Sequence, residues 1–296
     1  MKFLITGGEG FIGRNIKQQL ELKEHEVFTL DIVGKPDFVS NIMDFESLFE
    51  SFKGMDGIFH MSAITSPPQF EDDLFTGFDV NVRGTLNVLK AASQNKVKRV
   101  VTASSSSVYG NLTVAGKEDM EIPAHENMYS TTKLFDEYLC KFFSVRKEIE
   151  TVSLRFFNTY GLGENSKGMY SSVISKFLES IKGGESPVIY GDGSQRRDFV
   201  YVKDVAMATI LAMDKGISGE TYNVGTGVAI TFNEIIDIIR EVLGKYIVPR
   251  NVPNPFKNYQ LFTLANTIKT TRELGWTAQT TIQEGVSHMA KNLGLV

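Results

Sequence analysis

The chain has 296 residues, 42% of them hydrophobic and 22% charged, ordinary values for a folded protein with room for one sizeable core or two intimate ones. A net charge of −4 with no long Lys or Arg cluster excludes nucleic acid and anionic membrane as expected partners, so an anionic ligand must be held locally. A single cysteine, Cys140, excludes an internal disulfide, and four scattered His give no metal-ligand spacing.

The first predicted strand, KFLIT, leads directly into Gly7, Gly10 and Gly13, which open the helix FIGRNIKQQLELK. Glycines also punctuate ordinary turns, but between a strand and a helix they let the backbone approach a pyrophosphate at the positive end of the helix dipole. The next strand, EVFTLD, ends on Asp31, where a carboxylate accepts hydrogen bonds from an adenosine ribose. The same charge repels a 2′-phosphate, so NAD is expected rather than NADP. A strand predicted from the second residue leaves no room for a signal peptide, and no apolar run nears the roughly 18 residues that span a bilayer. The expected location is the cytoplasm.

Further strands, GIFHMS, KRVVTAS and TVSLRFF, alternate with helical stretches. This alternation predicts an α/β fold with a doubly wound parallel sheet, helices on both faces and ligands at the carboxyl ends of the strands. Four serines, Ser104 to Ser107, follow KRVVTA at such an end. In NMYSTTKLFDEYL, Tyr129 and Lys133 stand four apart on one helical face, about 5 to 6 Å apart at Cβ. A lysine cation there stabilises a tyrosinate. The same spacing occurs on many solvated helices, and the pair gains its meaning from the glycine loop upstream. The helices near residues 80–92 and 129–145 carry apolar residues on more than one face, including Phe135, Leu139, Phe142 and Phe143, which fits either core packing or a subunit interface.

After Gly161 the alternation weakens. GLGENSKG reads as a loop, and helices at about 171–182, 231–243 and 280–292 mix with short strands and loops such as NVPNPFKN. Residues 200–223 again read strand, helix, strand. The expected division is a dinucleotide-binding domain over 1–162 that the chain rejoins at about 200–226, and a smaller mixed α/β substrate-binding lobe over 163–199 and 227–296.

TGGEGFIG, HMSA (60–63), NVRGT (81–85), SSSSVYG (104–110), YSTTK, LRFFNTYG, GDGSQRRDFVYVKDVA, YNVGTG and ELGW, in this order, resemble the extended short-chain dehydrogenase/reductase family in its nucleotide-sugar epimerase and dehydratase branch. The resemblance covers nearly the whole chain and implies a Rossmann fold with bound NAD. It makes Ser105 the third catalytic residue, bonding the sugar O4, Tyr129 the general base and acid, and Lys133 also a ligand of the nicotinamide ribose. To the cofactor site it adds Phe11, Ile12, Met61, Ala63, Asn81 and Phe156. Asn41 and Ile42 lie along the adenine where Asp-Ile is usual, the Asn41 carbonyl accepting from the adenine amino group.

For the substrate it implies Ser106, Asn158 on the sugar or its phosphate, Arg197 on the diphosphate through paired donors, and Tyr190 stacked on the base. Asn158 also suits a loop cap, and Tyr190 an ordinary strand position. The family's second diphosphate arginine falls on Phe256, with Lys257 as a substitute cation. Thr263 borders the sugar C2 substituent and is small enough for an acetamido group.

Dehydratases of the branch carry Asp-Glu at the positions of Ser106 and Ser107, and decarboxylases a glutamate at the second; serine supplies neither acid nor base. The expectation is therefore epimerisation at C4 of a nucleotide-sugar, UDP-glucose or UDP-galactose and their N-acetyl forms, through a transient 4-keto sugar with NAD retained. The alternatives are an epimerase of a UDP-hexuronate or ADP-heptose type, a 4-keto-sugar reductase and an NAD-sensing regulator; the last has no need of Ser105, Tyr129 and Lys133 together. Relatives dimerise through paired helices, which implies a homodimer here.

Overall fold

The computed structural model describes residues 1–65, 70, 73–123, 127–164, 168, 170–255 and 259–296. Its strands are β1 (Lys2–Thr6), β2 (Glu26–Asp31), β3 (Phe38–Val39), β4 (Gly57–His60), β5 (Arg99–Ser105), β6 (Glu150–Phe156), β7 (Asn158–Tyr160), β8 (Val188–Tyr190), β9 (Arg196–Tyr201), β10 (Glu220–Val224), β11 (Ala229–Thr231) and β12 (Arg250–Val252). Seven of them form a parallel sheet in the order β10-β6-β5-β4-β1-β2-β3. Strand order reverses between β1 and β4, the switch point outside which a doubly wound sheet opens a ligand crevice. β1, β4, β5 and β6 are buried almost throughout, as a sheet covered on both faces requires.

The helices are α1 (Phe11–Glu21), α2 (Phe45–Ser51), α3 (Leu74–Phe78), α4 (Gly84–Gln94), α5 (Met128–Val145), α6 (Val173–Lys182), α7 (Val202–Lys215), α8 (Phe232–Leu243), α9 (Ile268–Leu274) and α10 (Ile282–Leu293). One core, around Phe3, Ile16, Phe59 and Tyr222, lies between the sheet and α1 with α7. A second, around Leu4, Leu89, Ile58 and Phe143, lies under α2, α4 and α5.

The stretch expected as one helix from residue 80 begins as a π-helical turn, Asp79–Arg83, before α4. Its extra residue per turn breaks the 3.6 period on which the expectation rested.

A third core, around Tyr160, Phe177, Phe199 and Ile235, belongs to the smaller lobe, where β11-β9-β7 and β12-β8 form separate small sheets. β7 pairs with β9 in parallel and β11 with β9 antiparallel, so this part is mixed. Thr231 and Thr281 start α8 and α10 with capping boxes that Glu234 and Glu284 complete. β9 belongs to the small sheet, whereas α7 packs on α1 and β10 pairs with β6 at the edge of the large sheet.

Candidate active site

Gly7 adopts φ +67°, and a Cβ on it would stand 2.7 Å from the Ser62 nitrogen. A Cβ on Gly13 would stand 2.3 Å from the Gly7 carbonyl oxygen. The loop after β1, the start of α1 and the loop after β4 are thus in contact only because these side chains are absent. Gly10 caps α1 without any side-chain hydrogen bond, and no acid lies in the first turn. The positive end of the helix dipole thus meets no acid of the helix's own first turn, and this glycine cradle fits the pyrophosphate of a dinucleotide. Phe11 is buried and Ile12 half-buried at this helix start.

At the end of β2, Asp31 accepts from the Glu9 N–H (3.0 Å) and the Ile32 N–H (2.7 Å), which fixes the carboxylate at the mouth of the cradle. Glu9, paired with Arg14 at 3.3 Å, adds a second carboxylate there. Asn41 is exposed and its Oδ1 already accepts from the Met43 N–H (3.0 Å), so one lone pair of the expected adenine acceptor is engaged; Ile42 is buried beside Gly84. Met61 and Ala63 are half-buried in the loop after β4.

Asn81 lies between the loop after β4 and α5. It is 0% exposed, and its amide is spent on the Ile64 backbone (2.8 and 3.0 Å) and the Thr132 hydroxyl (3.1 Å). It acts as a clamp that holds the loop after β4 against α5.

Asn127 caps α5 through the Ser130 N–H (2.9 Å) and sets Tyr129 in the first helical turn, half-buried with its ring 5.9 Å from that of Phe70. Lys133, one turn on, is buried and donates to the Ala103 carbonyl of β5 (3.0 Å) and to Asp136 (3.1 Å). Burial pulls its pKa down, but Asp136 and then Tyr129 outweigh this and hold it above the ordinary lysine value.

Two residues along β5 from Ala103, Ser105 accepts the Ser107 N–H at 3.1 Å, which leaves its own proton to donate. The serine run divides by role: Ser104 donates to Glu137 (2.5 Å), itself in a two-point ion pair with Arg155 (2.7 and 2.9 Å), and Ser106 is buried. Phe156 stands opposite Ser105 in the β5–β6 register.

On the lobe side, β7 and β9 bring Asn158 and Arg197 to neighbouring strands. Arg197 is 7% exposed, donates to the carbonyls of Arg196 and Gln260, and lies over the rings of Tyr259 and Phe232 (5.4 and 5.7 Å); no carboxylate among the described residues pairs with it. Burial lowers its pKa, as expected of a cation lacking an anion. Arg196 is exposed.

Thr263 is 1% exposed; its hydroxyl donates to Asn158 Oδ1 (2.8 Å) and accepts from the Asp198 N–H (3.1 Å). It therefore sits behind Asn158 rather than forming an open wall of the site. Tyr190 ends β8, half-buried. Lys257, like Phe256, lies outside the described residues.

Three supporting acids escaped the sequence reading: Glu9, Asp136 and Asp198. Asp198 binds the N–H groups of Thr226 (2.7 Å), Gly227 (2.9 Å) and Ala265 (3.0 Å), fastening three segments behind Arg197. The i, i+3 spacing of Asp136 from Lys133 was the available signal for that residue. A cavity of about 970 Å³ between α5, β10 and α9 contains none of the expected site residues, and its rim mixes Lys141, Lys269 and Arg272 with Glu118, Glu220 and Glu273.

Residues 3–225 match the family described as NAD dependent epimerase/dehydratase. The UDP-glucose 4-epimerase of Mycolicibacterium smegmatis is 31% identical over 307 aligned positions, covering 97% of this chain and 96% of that protein. The UDP-glucose 4-epimerase of Thermotoga maritima, solved with UDP-glucose, superposes with a TM-score of 0.91 at 28% identity, covering 99% of this chain and 100% of that one. The UDP-N-acetylglucosamine 4-epimerase of Methanobrevibacter ruminantium M1, solved with UDP-N-acetylmuramic acid, gives the same TM-score and identity over 98% of this chain and 97% of that one. With its glycine cradle, its Tyr129–Lys133 helix and matches that run the length of the sequence, the chain belongs to the NAD-dependent epimerase/dehydratase family.

Proposed function

We propose that the protein is an NAD-dependent 4-epimerase of UDP-sugars, interconverting UDP-glucose and UDP-galactose and accepting the N-acetyl forms. The observation that carries this reading is the composition of the proton-handling site: a tyrosine backed by a buried lysine, and hydroxyls alone at positions 106 and 107. Elimination or decarboxylation needs a further acid or base there, whereas epimerisation does not.

Tyr129 takes the proton of the sugar 4-hydroxyl, with Lys133 stabilising the phenolate and Ser105 donating to O4. NAD, held by the Gly7–Gly13 cradle and Asp31, would supply the hydride chemistry at C4 through which a 4-keto sugar is formed and reduced on its other face. Tyr129 then gives the proton back, so cofactor and enzyme end unchanged. Glu9 and Asp31 disfavour the 2′-phosphate of NADP. Arg197, a buried cation that no acid among the described residues pairs, suits the diphosphate, and Tyr190 suits the uracil base.

The bond from Thr263 to Asn158 Oδ1 holds that amide by its oxygen, leaving the amide nitrogen as the group to meet the sugar or its phosphate. Residues 1–162 with 200–226 serve the cofactor, and 163–199 with 227–296 the nucleotide-sugar; Lys257 belongs to the latter. The working form is a cytoplasmic homodimer joined through α4 and α5. Replacing Tyr129 by Phe removes the general base and lowers kcat by about 10² to 10⁴ with UDP-galactose affinity retained; undiminished turnover would refute this mechanism.

A further inference from the structure

The chemistry proposed above needs a charged Lys133, yet the fold withdraws that ammonium from water: the residue is 3% exposed. Two of its three protons are committed, one to the uncharged Ala103 carbonyl of β5 and one to Asp136 Oδ2 at 3.1 Å. Asp136 is itself 0% exposed, and its Oδ1 makes no hydrogen bond among the described residues.

Among the described residues the surroundings offer no substitute anion. From β4, His60 approaches with its ring held between the hydroxyls of Thr6 (2.7 Å) and Thr85 of α4 (2.9 Å); burial, helped by Lys133, drives its pKa down to about 3, so it is neutral. On α5, Glu137 is committed to Arg155 of β6, and burial raises the Cys140 thiol to about 11 and keeps it protonated.

We propose that Asp136 is a positioning residue for the reaction: as the buried counter-ion of Lys133 it holds the ammonium against β5, keeps it protonated at the pH where Tyr129 works, and leaves its third donor for the cofactor ribose. This rests on the assignment of Tyr129 and Lys133 as base and supporting cation. A lysine buried without a partner loses several units of pKa, and among the described residues the carboxylate of Asp136 is what opposes that loss. Burial pushes Asp136 itself up to about 6 against the pull of Lys133, so both members are ionised at neutral pH.

The test is Asp136→Asn, which keeps the shape and removes the charge, beside Asp136→Glu, which keeps the charge. In Asp136→Asn, NAD affinity measured by calorimetry falls as pH rises from about 6 to 9, approaching tenfold per unit above the lowered lysine pKa. The Tyr129 phenolate, read as the absorbance that Tyr129→Phe removes, moves to higher pH, and Asp136→Glu restores both. An Asn variant with wild-type NAD affinity across that range and an unmoved phenolate midpoint overturns the proposal. So does a midpoint moved downwards, which would make Asp136 a brake on Lys133. Should Asp136→Asn fail to fold, Asp136→Asn with Lys133→Met, which removes both charges, recovers a cooperative melt; if it does not, the proposal is wrong. Neither NAD affinity nor the phenolate midpoint depends on the sugar, so a wrong choice of substrate leaves both readouts standing.

Discussion

The residues of the candidate site are legible in proportion to how local their contacts are. Gly7, Gly10 and Gly13 stand out by their place between a strand and a helix, whereas Tyr129 and Lys133, whose spacing also suits a solvated helix, drew their meaning from that loop upstream. The burial of Asn81 and Thr263 and their bonds to a neighbouring loop and amide were not legible, since only the folded chain brings those partners to them. His60 is the sharpest example of a role set by burial. Its folded pKa of about 3 lies below the ordinary 6.5, so the unfolded chain binds a proton that the folded chain refuses as pH falls through 6.5. The stability it contributes is full above pH 6.5 and is lost towards pH 3, by roughly 2 kcal/mol between pH 7 and pH 5. Asp136, raised to about 6, works in the opposite sense over part of that range, because the folded chain takes up its proton first. Urea unfolding of wild type and His60→Gln at both pH values isolates the histidine: the wild type loses about 2 kcal/mol more than the variant, and equal losses would rule the assignment out.

At the scale of elements, the alternation of strand and helix located the sheet and α1, α5, α6, α8 and α10 to within a few residues. The two-residue β3 and the three-residue β12 carry too few positions to set a period. α5 shows why apolar residues on two faces were ambiguous. Cys140 and Phe143 enter the core, while Phe135, Tyr138, Phe142 and Val145 stay between 46% and 72% exposed, with Leu86 of α4 nearby in the same half of the molecule. Such a surface is unusual on a monomer and supports pairing of α4 and α5 with a second copy. The protein is expected to sediment at twice its chain mass at micromolar concentration and Phe142→Glu at the chain mass; a monomeric wild type would contradict the dimer.

For the whole molecule, the acidic net charge leaves an anionic ligand to be held locally: the proposed function assigns one phosphate pair to the helix start at Gly10 and the other to Arg197, which no carboxylate among the described residues pairs. Among the described residues no helix is long and apolar enough to cross a membrane, and no group of His, Cys, Asp and Glu is placed to hold a metal ion. The fold and family could be read from ordered motifs, whereas the choice of reaction turned on the serines at 106 and 107. The most direct measurement is proton NMR of the purified protein incubated with UDP-glucose, and in parallel with UDP-N-acetylglucosamine, without added NADH. The account predicts that UDP-galactose and UDP-N-acetylgalactosamine appear and reach equilibrium with no net formation of NADH; an absence of both products, or turnover only with stoichiometric NADH, would contradict it.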